Sequence, residues 1–305
     1  MRDVAYVTVD VFTTRPFAGN PLAVIPDARG IDGDAMQRIA AEFNYSETAF
    51  VLPPEDPANT ARVRIFTPTD EIPFAGHPNV GTGFVLGRQG EVFGRPVESL
   101  CRFEEEAGLV EVRLERRDGQ VAGARIRAPR PLRVGGQLDP GVVARCASLT
   151  PADLELSTHP PVLASVGLPF ALVQVTDLDA LARARPDAAA FADADRRHPG
   201  EDDRFSLFLY ASQPGEPGRL RARMFAPLSN ILEDPATGSA SAALGAYLAS
   251  LAPEPDLDRA ITIEQGVEMG RPSRIEVAVR KAGGAVGEVT VAGECVGVMR
   301  GTLTV

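Results

Sequence analysis

The chain has 305 residues, of which 44% are hydrophobic and 24% are charged, so it is long enough for about two ordinary domains with sizeable cores. Its 31 basic and 41 acidic residues give a net charge of −10, which argues against a nucleic-acid partner or an anionic membrane surface. No apolar run reaches the roughly 18 residues of a membrane helix, and the acidic, alternating first residues do not resemble a signal peptide. A cytoplasmic protein with no nucleic-acid or membrane partner is expected.

Short alternating apolar segments bounded by Gly, Pro or Asp predict strands along most of the chain. These strands are predicted at residues 6–12, 22–25, 49–52, 62–66, 110–114, 124–126, 162–165, 171–175, 206–210, 220–225, 260–264, 274–279, 287–292 and 294–298. Helices are predicted at residues 34–43, 80–87, 140–146, 178–184 and 239–250. In the first helix, Asp34 is the expected N-cap and Met36, Ile39 and Phe43 share one apolar stripe. The pattern is typical of a strand-rich α+β fold.

The chain contains an internal repeat with a period of about half its length. The sequence Arg-Ile-Phe-Thr-Pro at residues 64–68 recurs as Arg-Met-Phe-Ala-Pro at residues 223–227. Each copy leads to a Pro- and Gly-containing turn and then to a helix rich in small residues. A repeat of this period indicates a duplicated domain rather than a solenoid. The predicted domains are residues 1–128 and 129–305, joined near residues 128–136, with an exchange of the chain ends allowed.

The three cysteines and three histidines restrict the chemistry that the chain can perform. The cysteines, at positions 101, 146 and 295, are isolated and odd in number, which is typical of reduced packing residues. The histidines, at positions 77, 159 and 198, do not fall at a metal-ligand spacing. The glycines at positions 81, 83 and 87 lack the β-α-β context of a dinucleotide site. Neither a metal nor a nucleotide cofactor is expected.

Two predicted strand-to-helix junctions, at Gly76 and Gly238, are candidates for ligand binding. A helix start presents free N–H groups and a partial positive charge, both of which suit a carboxylate. Glycine at these positions lets the backbone approach a ligand closely. If the two halves of the chain face each other, His77 and Asp234 stand on opposite walls of one cleft. Two ordinary helices, the second with Asp234 as its N-cap, are the alternative explanation.

A third candidate is Glu47, an acid between the first predicted helix and an apolar strand. An acid with apolar neighbours tends toward a raised pKa, which suits acid/base catalysis near neutral pH. A solvated glutamate at a strand end is the alternative explanation. Ser46, the preceding residue, lacks the G-x-S-x-G sequence of a nucleophile elbow.

Five segments of the chain carry a family resemblance, at residues 10–24, 44–50, 74–78, 233–240 and 265–273. Together, and in this order, they resemble the phenazine-biosynthesis PhzF-like family, which has a diaminopimelate-epimerase-like fold. The resemblance spans nearly the whole chain. It implies two pseudo-symmetric domains, each a mixed β-sheet wrapped around a central helix, with the active site in the cleft between them. It also implies a homodimer.

The resemblance assigns roles to individual residues, with Glu47 as the acid/base that carries a proton. The catalytic residues that it implies are Glu47, His77, Asp234 and Ser239. The implied substrate-binding residues are Asn20, Gly76, Thr237 and Gly238. Related thiol epimerases and racemases have a cysteine at each of the two helix starts, so His77 and Asp234 exclude a two-thiol mechanism here. Asn79 and residues 229–231 depart from the family pattern and bear on substrate identity more than on reaction type.

The predicted function is that of a cofactor-free isomerase. It would move a proton on a small carboxylate-bearing, unsaturated or cyclic substrate, which in the namesake family member is a dihydro-hydroxyanthranilate. Two other classes of function remain open. One is a hydrolase or lyase that uses Ser239 or Ser46 with His77 and Asp234. The other is a non-catalytic protein that binds small acids.

Overall fold

The structure is a computed structural model that describes residues 2–198 and 204–305. The described residues form a strand-rich α+β fold, as the sequence predicts. They divide into two compact units, the first made of residues 2–127 with 292–305 and the second of residues 128–291. Residues 292–305 therefore belong to the same compact unit as residues 2–127. No helix in the described residues is long and apolar enough to cross a membrane.

The elements are numbered here in chain order. The strands are β1 (Asp3–Val11), β2 (Asn20–Ile25), β3 (Glu47–Leu52), β4 (Ala61–Phe66), β5 (Glu71–Ile72), β6 (Glu91–Val92), β7 (Arg95–Pro96), β8 (Leu100–Glu105), β9 (Gly108–Arg117), β10 (Gln120–Arg127), β11 (Arg133–Gln137), β12 (Val162–Ser165), β13 (Pro169–Gln174), β14 (Leu207–Ser212), β15 (Arg219–Ala226), β16 (Ile231–Asp234), β17 (Leu257–Gln265), β18 (Ser273–Ala282) and β19 (Ala285–Thr304). The α-helices are α1 (Gly33–Phe43), α2 (Gly76–Gln89), α3 (Pro140–Cys146), α4 (Leu178–Arg183), α5 (Ala188–Arg197) and α6 (Gly238–Leu251).

Strand pairing closes the sheet of the first unit on itself. β1 and β2 are antiparallel, β2 and β3 parallel, β3 and β4 antiparallel, and β4 and β8 parallel. β8, β9 and β10 then form antiparallel pairs. β10 also pairs with β19, and β19 pairs with β1 through residues 295–304. The first unit is therefore a closed barrel of mixed parallel and antiparallel strands.

The helix α2 packs against strands of this barrel. It packs against β1, β2, β3, β9 and β10, and every residue from Gly76 to Leu86 is buried. A Cβ atom added to Gly81 would lie 2.5 Å from the Leu22 side chain, and one added to Gly83 would lie 2.7 Å from Val112. The glycines that superficially resemble a dinucleotide motif thus allow the helix and strands to pack closely.

The second unit repeats the order of strand pairings found in the first. β12 and β13 are antiparallel, β13 and β14 parallel, β14 and β15 antiparallel, β15 and β17 parallel, and β17 and β18 antiparallel. This is the order of the pairs from β1 to β9. The short strands β5 and β16 pair with β4 and β15 and lead to α2 and α6. α6 is largely buried and packs against β12, β13, β17 and β18.

Several local predictions are wrong. The N-cap of α1 is Asp32, whose carboxylate accepts a hydrogen bond of 2.8 Å from the Ala35 amide, while Asp34 lies in the first turn. The expected connecting segment contains the strand β11, which the sequence pattern misses because its residues are all exposed. α5, which is capped by Asp187, is absent from the predicted helices. The two strands predicted near the C-terminus are one continuous strand, β19.

An arginine–glutamate pair lies in the strands that precede α2, and a second pair lies in the strands that precede α6. The Arg223 guanidinium on β15 donates two hydrogen bonds of 2.8 Å to Glu233, and two further bonds to main-chain carbonyls at the end of α4. Arg64 on β4 donates to Glu71 in the same way, at 2.7 and 2.6 Å. Arg223 is buried, whereas Arg64 is only partly buried. The two pairs have the same geometry but differ in their contact with water.

This difference in burial predicts unequal effects of the same substitution. Replacing Arg223 by Met leaves the Glu233 carboxylate and two carbonyls without a cationic partner. We expect the free energy of unfolding to fall by about 3–5 kcal/mol in R223M. The matched R64M variant should lose about 1 kcal/mol or less, because water solvates its remaining carboxylate. Urea titrations monitored by circular dichroism measure both values, and equal losses would contradict the role given to burial.

Candidate active site

Glu47 is the first residue of β3 and follows the end of α1 closely. The helix ends at Phe43 because Asn44 adopts a left-handed conformation with φ of 53°, and its N–H bonds to the Ala40 carbonyl. β3 runs parallel to β2, with Leu22 as the register partner of Glu47. The Glu47 side chain is only 15% exposed. The fold therefore holds one acid at the start of a strand that is otherwise almost fully buried.

His77, the second residue of α2, contacts Glu47. Its Nδ1 atom lies 3.3 Å from the Glu47 Oε2 atom. Burial lowers the pKa of His77 to about 3, although a hydrogen bond to the Pro21 carbonyl opposes this effect. The imidazole is therefore neutral at physiological pH. The structure brings together a carboxyl group and a neutral ring, two of the predicted catalytic side chains.

The turn before Glu47 is tied to β2 by a hydrogen bond between Ser46 and Asn20. The Ser46 hydroxyl donates to the Asn20 Oδ1 atom at 2.9 Å, and Asn20 is fully buried. A serine nucleophile needs a base that accepts its proton, and an amide oxygen is not such a base. This contact therefore gives Ser46 a structural role and does not favour its use as a nucleophile.

The segment that leads into Asn20 is a tight turn fixed by two features. The Phe17 amide donates to the Asp10 carboxylate at 2.7 Å. Gly19 has a positive φ of 67°, and a Cβ atom at this position would lie 2.3 Å from the Val11 carbonyl oxygen. Only glycine fits this turn without strain. The residues shared with the family in this segment thus serve to place Asn20 at the start of β2.

In the second unit, Asp234 is the last residue of β16 and lies next to Thr237. The Thr237 hydroxyl donates to the Asp234 carboxylate at 2.5 Å. Thr237, not Asp234, is the N-cap of α6, so the alternative explanation of Asp234 as a helix cap is wrong. Ser239 is the second residue of α6, as His77 is of α2, and its side chain is partly exposed. The predicted residues of this unit therefore meet at one helix start.

Gln265 holds this turn in place, a role that the sequence analysis missed. Its Oε1 atom accepts a hydrogen bond of 3.0 Å from the Thr237 amide. Its Nε2 atom donates to the Asp234 carbonyl at 2.8 Å and to the Thr237 hydroxyl oxygen at 2.9 Å. The Ser273 hydroxyl donates to the Pro235 carbonyl at 2.8 Å. Gln265 lies in the segment 265–273, which carries part of the family resemblance. The sequence of that segment does not indicate which residues it contacts.

The two departures from the family pattern have local structural explanations. The Asn79 side chain is buried, and its Nδ2 atom donates to the Ala75 carbonyl at 2.9 Å, within the first turn of α2. Asn230 adopts a left-handed conformation with φ of 60°, which asparagine tolerates better than most residues. It can therefore replace the glycine that is commoner in this loop.

Gly76 and Gly238 are the first residues of α2 and α6, and both are buried. The first N–H groups of a helix have no partner within it and favour an anion. Neither Ala75 nor Thr237, the two N-cap residues, makes a side-chain capping hydrogen bond. Each helix start can therefore offer backbone N–H groups to a carboxylate.

The neutral state of His77 predicts a dependence of stability on pH. Because its pKa falls from 6.5 to about 3 on folding, the unfolded chain binds more protons between these values. The contribution of His77 to stability should therefore fall as the pH is lowered through this window. We expect the stability of H77N to decrease less than that of the wild type as the pH is lowered. A residual dependence on pH should remain in H77N, because burial also lowers the pKa of His159. Thermal denaturation between pH 7 and pH 4 measures both slopes, and identical slopes would contradict the burial of a neutral ring.

Comparison with known proteins identifies the family. The family described as Phenazine biosynthesis-like protein (PhzC-PhzF) matches residues 9–301. The chain is 38% identical over 302 residues to an uncharacterized isomerase of Mesorhizobium japonicum, with 98% of each chain covered. It is 36% identical over 289 residues to the trans-2,3-dihydro-3-hydroxyanthranilate isomerase of Pseudomonas aeruginosa, which covers 94% of this chain and 95% of the relative.

Solved structures agree with this result. The Bacillus anthracis phenazine biosynthesis protein of the PhzF family superposes with a TM-score of 0.88 at 26% identity, with both chains fully covered. A hydroxyproline epimerase from Agrobacterium vitis has a TM-score of 0.65 at 16% identity, with 99% of this chain and 92% of that chain covered, and shares the fold alone. The resemblance found in the sequence is confirmed, and the chain belongs to the phenazine biosynthesis-like (PhzC-PhzF) family.

Proposed function

We propose that this protein is an isomerase that moves a proton within a small carboxylate-bearing, unsaturated or cyclic substrate. Glu47 takes the proton from a carbon that is activated by neighbouring unsaturation and returns it elsewhere on the same face of the substrate. The reaction as proposed uses no cofactor. The observation that carries the proposal is the contact of 3.3 Å between the Glu47 carboxyl and a buried, neutral His77.

The charge state of His77 matters for the chemistry of Glu47. A cation beside a carboxylate stabilises its ionised form and makes it a weaker base. A neutral imidazole has no such effect, and its ring contacts the carboxyl group at 3.3 Å. Acid/base catalysis by one positioned group contributes about 10²–10⁴-fold to a rate, so correct orientation of the substrate must contribute much of the rest.

Substrate binding is assigned to the helix starts. The N–H groups at the beginning of α2 and α6 suit a carboxylate, and Asn20, Gly76, Thr237 and Gly238 are the proposed binding residues. Asp234 and Ser239 are proposed to polarise the substrate. That these residues and the Glu47–His77 pair act on one substrate stays a prediction, as does the homodimer.

The names of the relatives suggest which substrate to test first. The Pseudomonas aeruginosa relative is named as an isomerase of trans-2,3-dihydro-3-hydroxyanthranilate. That compound carries a carboxylate on a partly unsaturated ring, which is the class proposed above. The hydrogen bond from Ser46 to Asn20 gives no support to the hydrolase alternative that uses Ser46.

Replacing Glu47 by Gln tests the proposed role of this residue. An amide has the same size as the carboxyl group but cannot accept a proton. With trans-2,3-dihydro-3-hydroxyanthranilate as substrate, we expect E47Q to lose at least about 10²-fold in kcat and to keep its Tm. The matched E42Q variant changes an exposed acid on α1 and should keep wild-type turnover. Near-normal turnover by purified E47Q would contradict the assignment of Glu47.

A further inference from the structure

The strands β8 and β17 occupy the same place in the two units and end on corresponding residues. Each is the parallel neighbour of the strand that carries the repeated Arg-x-Phe motif. In each pair of parallel strands, an arginine lies opposite a glutamate of the neighbouring strand. These register partners are Arg62 and Glu104 in the first unit, and Arg221 and Glu264 in the second. The next residue is Glu105 in the first unit and Gln265 in the second, and each ends its strand.

The role of Gln265 requires a neutral group that both donates and accepts. Its amide oxygen accepts from the Thr237 N–H, while its amide nitrogen donates to the Asp234 carbonyl. A carboxylate in this place could accept but could not donate. A protonated carboxyl group, in contrast, has one donor and one acceptor and nearly the same shape as the amide.

The carboxyl group of Glu105, a partly buried residue, has surroundings that suit the protonated form. Neither of its carboxyl oxygens has a hydrogen-bond partner among the described residues, and both are shielded from water. The Oδ1 atom of Asn79, on the first turn of α2, is also buried and without a partner there. A charged carboxylate in such a setting is costly because no donor compensates for its lost hydration. A proton on Glu105 would supply the donor that Asn79 lacks.

The charged groups around Glu105 do not neutralise it. On β4, Arg62 pairs with Glu55 at 2.9 Å and Arg64 pairs with Glu71 on β5 at 2.6 Å. The adjoining acids on the same chain segment are Glu104, which accepts from main-chain amides, and the exposed Glu106. β9 presents only Gly108 opposite Glu105. Burial raises the pKa of Glu105 to about 8, with the Asn79 amide acting in the opposite direction.

We propose that Glu105 is the neutral counterpart of Gln265, and that each is a positioning residue for the first turn of the central helix in its unit. Glu105 acts through Asn79, whose amide bonds to the Ala75 carbonyl two residues before His77. Gln265 acts directly on Thr237 and on the backbone of Asp234. The effect that we expect these residues to have on turnover rests on the proposed function, whereas their expected effect on stability does not.

The pH dependence of stability tests this inference without any substrate. Because the pKa of Glu105 rises from 4.5 to about 8 on folding, the folded protein binds the extra proton in this window, and the contribution of Glu105 to stability should fall as the pH rises. We expect the Tm of E105Q to equal that of the wild type at pH 5.5. At pH 8.5 it should exceed the wild-type value by roughly 2–4 °C. The control E106Q, which changes the exposed neighbour, should follow the wild type.

Two further variants complete the experiment. Q265E should approach wild-type Tm at pH 5.5 and fall below it by roughly 2–4 °C or more at pH 8.5, because its ionised form cannot donate to the Asp234 carbonyl. E105A should have a lower Tm than the wild type at both pH values, because alanine can neither donate nor accept a hydrogen bond. The amide of E105Q can do both, so E105Q should keep the Tm that E105A loses. With trans-2,3-dihydro-3-hydroxyanthranilate at pH 7, E105Q should keep the wild-type kcat and E105A should lower it.

The outcomes separate this inference from the proposed function. Parallel pH profiles for E105Q and the wild type, a Q265E variant as stable as the wild type at pH 8.5, or failure of E105Q to fold would each overturn the inference. Absence of turnover in the wild type itself would count against the proposed substrate. The Tm profiles would then decide the inference alone.

Discussion

Burial of α2 and α6 against strands is the constraint on which the rest of the structure depends. A helix in this position has no polar face, and α2 and α6 are accordingly rich in glycine, alanine and other small residues. The backbone N–H groups of the first turn have no partners within the helix. Polar side chains are therefore concentrated at the helix starts, where His77, Thr237 and Ser239 lie. The candidate chemistry is located where the fold leaves hydrogen-bonding groups available.

The same burial sets the protonation states of the candidate groups. His77 is kept neutral because its ring is removed from water, and the proposed role of Glu47 as a base depends on that neutrality. The three cysteines are free and buried, and burial raises the pKa of Cys101 to about 11. No thiolate is therefore available at either helix start, which agrees with the exclusion of a two-thiol mechanism from the sequence.

Local sequence patterns were sufficient to predict the strand-rich fold, the repeat and the start of α6, because alternation, Gly and Pro act over a few residues. The predicted helix at residues 80–87 starts too late, since α2 begins at Gly76. The patterns placed the cap of α1 at Asp34 instead of Asp32, since two acids lie within one turn of each other. They missed β11, which is exposed throughout and shows no alternation. Gln265 and Glu105 were missed for a different reason. The hydrogen bonds of Gln265 to the start of α6, and the role proposed for Glu105, depend on strand register between segments far apart in the chain, which no local pattern contains.

The central claim is that a proton leaves one carbon of the substrate and a carboxyl group carries it. The most direct test uses trans-2,3-dihydro-3-hydroxyanthranilate deuterated at its two saturated ring carbons, converted by the wild-type protein in ordinary water. Nuclear magnetic resonance of the product shows where the label resides. The account predicts that one of these carbons loses its deuterium, either to solvent or to a new position on the ring. A product that keeps both labels at their original carbons would contradict it.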